Sequence, residues 1–435
     1  MSWGRTLAVI MVAAISEANG IRAQEPIQTV TLAEALRRGT RLDPDYVRAL
    51  GQVDNAEWGR RAARLAFVVP SVTAQLDATK YSAEFFNLGT LQPQSTSVTA
   101  TLVANYEVFR FGKLTDLSAT KAELEGSEAS ELQQRFRTAF LIESDYYGVL
   151  ASQALHRVAS ERLRRADEQL SVGRARVVSG AAVQSDSLQL TVEATRARID
   201  LARAATALRV AQLELGRRVG ETGPLAAAAP DSVPPIELPL GLPEAVTEAL
   251  DRGPQYRAAR AGERRANALL RGARGQYLPT LNLNGANQTF DSRLFPTARN
   301  ISSITVTLSW PLWDLGQREI AISQARVNRD VSRAIRADLE RGAQRDVTEA
   351  YEAYRTARAT VDLSRTALAA AAENYRVQEA RYRSGATTIV ELLDSQITLT
   401  QAEAEVVQAD YATRLALAGL EVILGRRLFP SKDAP

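Results

Sequence analysis

The 435 residues contain no cysteine, a single histidine (His156) and two methionines. Without cysteine there can be no disulfide, no thiolate nucleophile or ligand and no lipid carried on an N-terminal cysteine, so stability must come from packing or assembly. His156 has no acidic or sulfur partner at metal-ligand spacing. A Walker loop, a nucleophile elbow and a glycine-rich dinucleotide turn are all missing. The sequence therefore predicts no metal, no cofactor and no enzyme. A large excess of one charge is also lacking: 53 basic residues face 50 acidic ones, interleaved along the chain, which gives no reason to expect a nucleic-acid partner.

Long hydrophobic runs are equally scarce. The apolar stretch Leu7 to Ile15 is about half the roughly 20 residues a membrane-spanning helix needs. Arg5 precedes it and small residues follow, so residues 1–23 read as an export signal cleaved after Ala23 or, less well defined, after Gly20. Any membrane crossing by the remainder must use strands. With 45% apolar and 24% charged residues, that remainder is a folded chain.

What is present is a repeat of very long period. TLAEALRRGTRLDPDYVRA (31–49) matches GLPEAVTEALDRGPQYRAA (241–259), aligning Leu32 with Leu242, Pro44 with Pro254 and Tyr46 with Tyr256. FVVPSVTAQLDA (67–78) matches YLPTLNLNGAN (277–287), and YEVFRFGK (106–113) matches WPLWDLGQ (310–317). Tyr147 then answers Tyr351, and Gly180 answers Gly385. The offset drifts only between 204 and 210 residues, as loop insertions would cause.

Each half has the same grammar. The first repeat occupies residues 24–220, the second 241–426, with a proline-rich linker or equatorial region at 221–240 and a tail at 427–435. Each begins with one helix, Leu32 to Leu65 or Pro243 to Gly272. Extended segments follow at about 69–81 and 97–109, and at about 278–290 and 302–313, separated by long polar loops. Very long helices run from Leu114 to Arg176 and from Arg318 to Arg383, turn at about 177–183 and 384–388, and return over Val183 to Arg217 and Ile389 to Arg426.

Leu201, Leu208 and Leu215, like Leu392, Leu399 and Val406, recur every seven residues beside alanine-rich positions, the pattern of coiled coils with more than one sticky face. Such helices suit a closed wall, or a spectrin-like rod. SVTATLVANY (97–106) and SSITVTLSW (302–310) alternate as membrane β-barrel strands do, and four strands are too few to close a barrel without further copies. Phe67, Tyr106, Phe109, Phe111, Tyr277, Trp310 and Trp313 fall where strands meet helices. They are placed either to form a girdle at a membrane interface or to plug a junction.

Through the doubled plan, the junction WPLWDLG and the turns SGAAVQSDSLQ and YRSGATTIVELLDSQ, the chain from about Val30 to Arg426 resembles the TolC-type outer membrane efflux family. The resemblance implies a mainly α protein with membrane β: a homotrimer whose chains give four strands each to a shared 12-stranded barrel in outer-membrane lipid, above a long periplasmic α-barrel. It further implies a passive exit duct of a tripartite efflux or type I secretion system, docked onto a periplasmic adaptor (membrane fusion) protein and an RND or ABC pump. A periplasmic coiled-coil adaptor or spacer without a pore is the competing class.

Both turns read locally as helix caps around glycines that adopt positive φ, with Thr387 or Thr388 capping the return helix and Glu391 completing a capping box. The resemblance adds a periplasmic gate at Asp186, Tyr382 and Thr387. Thr387 stands where the family carries arginine and cannot make arginine's bidentate pair, which leaves Arg381 or Arg383 as substitutes. Gly180, Ala181, Gly385 and Ala386 are the expected adaptor-docking tip, because small side chains admit a close approach.

Overall fold

The computed structural model describes residues 28–87, 92–229, 235, 237–291 and 299–429; the expected export signal lies outside them. Each half does begin helically, but as two helices. In the first half these are α1 (Leu32–Leu42) and α2 (Pro44–Leu65); in the second, α5 (Leu242–Arg252) and α6 (Pro254–Arg274). The matched prolines cause the breaks. Proline disfavours helical geometry in the residue before it and has no N–H to donate, so it opens a new helix at the first position. Asp43 closes α1 through its backbone and caps α2 by accepting the Tyr46 N–H at 2.9 Å.

The first hairpin, β2 (Ser71–Asn87) and β3 (Gln92–Phe109), extends well into the stretch expected to be loop. The second, β5 (Thr280–Asp291) and β6 (Arg299–Ser309), is shorter. β6 stops before the expected 313 because Pro311 follows, and Leu315 and Gly316 take left-handed backbone before the next helix. Trp310 and Trp313 thus lie beyond the strand, in the connection.

The four strands form one antiparallel sheet in the order β2-β3-β5-β6, so the two halves meet at β3 and β5, and β2 and β6 are edges. The pairing register sorts the side chains. Val72, Ala104, Gly285 and Ile304 form one row, followed two residues along β3 by Tyr106, Leu283 and Val306, then by Phe109, Leu281 and Leu308 past an irregularity near Glu107. The alternate rows are Ser71, Asn105, Asn284 and Thr305, and then Glu107, Asn282 and Thr307. Over these rows, the ones nearest the helices, one face is apolar and the other polar. Ile304, Val306 and Leu308 are 81%, 66% and 69% exposed, so nothing in the protomer covers the apolar face.

Below the sheet run α3 (Phe111–Val178) and α7 (Gln317–Ser384), each 68 residues, with return helices α4 (Gln184–Val219) and α8 (Ile389–Leu424), each 36 residues. At about 1.5 Å per residue the long helices reach about 100 Å. The equal lengths bring both turns to one level. Nearer the sheet the helices lie side by side as α2, α3, α6, α7; nearer the turns, as α4, α3, α8, α7. The layer stays four helices wide because α4 ends against α1, at the break before α2, and α8 ends against the start of α6. Close packing at these joints is direct: a Cβ on Gly425 would stand 2.7 Å from the Pro254 ring.

The joints are reinforced at mid-height. The linker is not wholly irregular, since β4 (Ala226–Ala227) pairs in parallel with β1 (Thr29–Val30), and the buried Tyr146 hydroxyl donates to Ala228 O at 2.7 Å. Nor is the C-terminal segment simply a tail. Arg427 forms ion pairs with Glu143 and Glu421, both almost fully buried, Leu428 N–H donates to Glu421 at 2.8 Å, and Leu428 joins the core. Burial pushes the Glu143 carboxyl above its ordinary range, against the pull of Arg427.

Candidate functional site

Two regions collect the residues singled out in the sequence. At the strand-helix junction, the hairpins of the two halves are tied in the same way. Tyr106 donates its hydroxyl to Phe67 O at 2.6 Å, and the matching Trp310 donates its indole N–H to Tyr277 O at 3.1 Å. Cations sit over the rings: Lys113 Nζ lies 4.9 Å from the Tyr106 centroid, and the Arg318 guanidinium 4.6 Å from that of Tyr277. Tyr277 in turn donates to Glu319 at 2.6 Å. Phe67, Phe109, Trp310 and Trp313 remain exposed at this level, whereas Phe111 is half-buried against Gly275.

The second region is the far end of the helices, where the two turns are near copies. Gly180 and Gly385 hold φ of 77° and 79°. Ala181 N–H reaches back to Arg176 O, and Ala386 N–H to Arg381 O, both at 2.8 Å, while Gly180 and Gly385 N–H groups bond Val177 O and Tyr382 O at 3.1 Å. These are the paired bonds of a Schellman motif, which uses up helix-end carbonyls that would otherwise lack partners. The return helices differ in their capping. Val183 offers α4 no side-chain cap, whereas Thr388 caps α8 by accepting the Glu391 N–H at 3.4 Å.

The expected gate residues are only partly brought together. Tyr382 is buried, 4% exposed, and its hydroxyl has no hydrogen-bond partner. Burial raises its pKa, the Asp186 carboxylate raises it further, and Arg176 opposes both, so Asp186 and Tyr382 share one electrostatic environment. Among the described residues, the Asp186 carboxylate makes no hydrogen bond or ion pair. Thr387 turns elsewhere and donates to Glu391, four residues on in the first turn of α8. The substitute arginines are occupied too: Arg383 pairs with Glu379 at 2.8 Å, and Arg381 donates to Ala386 O at 3.2 Å. Gly180, Ala181, Gly385 and Ala386 are exposed, and a Cβ on Gly180 would meet nothing within 4 Å.

The arginine that does reach the second turn is Arg176, from the first repeat. It donates to Tyr382 O, places its guanidinium 4.7 Å from the centre of the Tyr382 ring, and donates to Ala181 O of its own turn at 3.3 Å. Single-site reading overlooked it, yet a signal exists: Arg-x-x-Ser-Gly-Ala occurs in both halves, at 176–181 and 381–386.

Deeper in the same bundle, Arg165 grips Glu403 with bonds of 2.9 and 3.1 Å, and Gln169 donates to the Tyr375 hydroxyl at 2.7 Å. Both contacts join the first repeat to the second. Among the described residues no group of His, Cys, Asp or Glu could hold a metal ion, and no helix is long and apolar enough to cross a membrane.

A family model described as outer membrane efflux protein matches residues 41–221 and 245–426. The toluene efflux pump outer membrane protein TtgC of Pseudomonas putida is 26% identical over 335 residues, 75% of this chain and 67% of that protein. The cobalt-zinc-cadmium resistance protein CzcC of Cupriavidus metallidurans is 27% identical over 292 residues, 66% of this chain and 67% of that protein. Among solved structures, one of CusC superposes with a TM-score of 0.76 at 18% identity, covering 92% of this chain and 93% of that one. The open state of the Neisseria gonorrhoeae MtrE outer membrane channel gives 0.72 at 19% identity, covering 91% and 89%.

Proposed function

The chain belongs to the outer membrane efflux protein family, and from that membership we propose that three copies close their sheets into one barrel and their helices into one tunnel. It is a passive exit duct of the outer membrane within a tripartite efflux system, with a long periplasmic extension, and not an enzyme. The observation that carries the trimeric reading is the two-faced sheet with two open edges. An uncovered apolar face wants lipid, a polar face wants water, and unpaired edge strands want neighbours. The helices agree. Val192, Ile199 and Leu213 on the edge helix α4 form an exposed stripe at heptad spacing that a neighbouring protomer would cover. A heat-modifiable trimer in the outer-membrane fraction is the expected result. A soluble monomer would defeat the reading.

The partners follow from the same reading: outer-membrane lipid around the barrel, where the junction aromatics form its periplasmic girdle, and an adaptor with an RND or ABC pump at the far end. TtgC is named for toluene and CzcC for metal ions, so the family fold accommodates both kinds of cargo, and the pump selects it here.

Docking is assigned to Gly180, Ala181, Gly385 and Ala386. The glycines are poor test sites, since their left-handed backbone costs any other residue about 1–2 kcal/mol whatever the adaptor does. The exposed alanines separate the two effects. Ala181→Trp together with Ala386→Trp is expected to abolish efflux while trimer insertion stays normal, read as drug or metal susceptibility beside trimer yield. Undiminished efflux would place adaptor contact elsewhere.

The tip is also read as the closed end of the duct, with Asp186 and Tyr382 in its gate. Removing the carboxylate by Asp186→Ala is expected to raise closed-state conductance in planar bilayers. If conductance is unchanged in an intact trimer, the gate role of Asp186 fails.

A further inference from the structure

The gate reading leaves the holding contact unidentified, because Thr387 is engaged with Glu391 and, among the described residues, Asp186 makes no ion pair. The positions of Arg176 and Arg381 supply one. Helices α3 and α7 both end at the tip, and each exposes carbonyls at the negative end of its dipole. α8 lies between them in the layer, so a long cationic side chain that bridges the two ends is favoured by both. Arg176 is that side chain: its guanidinium spans from Ala181 O of its own turn to Tyr382 O of the other, with Nη2 3.5 Å from where a Gly385 Cβ would stand. Stacking on Tyr382 then fixes the plane of the fork.

The repeat extends this contact. Arg381 occupies the place of Arg176 in the second Arg-x-x-Ser-Gly-Ala motif and grips its own turn in the same manner, 3.2 Å to Ala386 O against 3.3 Å to Ala181 O. Ser384 and Ser179 also repeat, donating to Arg381 O at 2.9 Å and to Arg176 O at 3.0 Å. What Arg381 lacks within the protomer is the crossing bond, because no further helix end lies beyond α7. In a ring, α4 and then the α3 end of the next protomer would follow α7, as α8 and then the α7 end follow α3 within the protomer, and the residue matching Tyr382 is Val177.

We propose that the tip is held shut by a ring of arginine clamps between successive helix ends: Arg176 joins the two repeats within a protomer, and Arg381 joins each protomer to Val177 O of the next. This rests on the trimeric gate reading above and assigns its holding contacts. Both arginines are positioning residues, fixing where the hairpins sit and touching no cargo. An aromatic at 382 and an aliphatic at 177 make the two joints unequal, so the Arg381 joint, without a ring to stack on, is the weaker and parts first.

The test uses the full-length trimer in planar bilayers, with heat stability of the trimer measured in parallel. Arg176→Ala and Arg381→Ala are each expected to raise closed-state conductance severalfold without lowering trimer heat stability, and the double variant further. Lysine at either site, able to bond one carbonyl but not to span two, gives an intermediate value, which loss of packing alone would not. Because the chain has no cysteine, Val177→Cys with Arg381→Cys can be bridged by a short bis-maleimide; covalent trimers on a denaturing gel are expected. Unchanged conductance in both alanine variants overturns the clamps. In that event, leakage of Asp186→Ala shows the gate reading still standing, and its silence shows both gone. Leakage from Arg176→Ala with neither leakage nor crosslinking at 381 overturns the intersubunit half.

Discussion

Ile304→Arg is expected to keep the protein out of the outer membrane. Ile304 is 81% exposed in the row of Val72, Ala104 and Gly285, on the face that meets lipid, and β6 is an edge strand whose next neighbour comes from another copy. A cationic residue near the middle of the bilayer costs about 2–4 kcal/mol on a barrel strand. The closed barrel would bear that cost once for each copy. The control is the adjacent residue. Thr305→Arg, in the row of Asn105 and Asn284, projects from the opposite face into the lumen. It should insert normally and shift ion selectivity toward anions. The measurement is trimer recovered in the membrane fraction, resolved by heat modifiability. Equal insertion of the two variants would mean that the faces are assigned wrongly.

The second large effect lies at mid-height. Arg427→Ala leaves Glu143 and Glu421, side chains 5% and 4% exposed, facing one another without their ion-pair partner, since Arg426, which also acts on Glu421, is engaged with Glu248. Breaking a buried pair by removing one partner typically costs 3–5 kcal/mol; about 3 kcal/mol is expected here, because Glu143 can take up a proton. Its carboxyl is already pushed upward by burial, and losing Arg427 removes the main influence holding it down. The sign of the pH dependence follows. A folded-state pKa above the unfolded value means the folded protein binds the proton more tightly, so lowering pH through that folded pKa stabilises it. The deficit of Arg427→Ala should therefore be largest at neutral pH and shrink on acidification, measured by denaturant midpoints. Adding Glu143→Gln should recover part of the loss at neutral pH. A pH-independent deficit would assign Arg427 to packing alone.

Arg427 also illustrates what sequence inspection passes over. The tetrapeptide Leu-Gly-Arg-Arg occurs at 215–218 and again at 424–427, and in each case the second arginine reaches a carboxylate of α3: Arg218 to Asp145, Arg427 to Glu143. Reading residues 427–435 as a tail missed this, because a charged residue near a terminus gives no local sign of burial. The proline breaks at Pro44 and Pro254, by contrast, were visible as matched landmarks, and only their power to split one helix into two was undervalued.

The strands show a similar division. Alternation in SSITVTLSW is plain, while β5, with Asn282, Asn284 and Asn287 among Leu281, Leu283 and Gly285, reads weakly. Its partner rows make sense of it. Leu283 stands between Tyr106 and Val306, and Asn284 between Asn105 and Thr305, so the face is legible across the sheet where it is faint along one strand.

By itself, the sequence determined the doubled plan, the number and order of hairpins, the places where long helices turn, and that any membrane crossing must use strands. These are set by local chemistry: glycine where φ is positive, proline where a helix must restart, period two where strands have two faces, period seven where helices pack. The tertiary structure alone decided that β3 pairs with β5, that the helices lie four abreast, and that Arg176 crosses to Tyr382 while Thr387 turns to Glu391. The physical reason is reach. A turn is fixed by residues a few positions apart, but Arg176 and Tyr382 are 206 residues apart, and no local preference records which helix end packing will bring beside which.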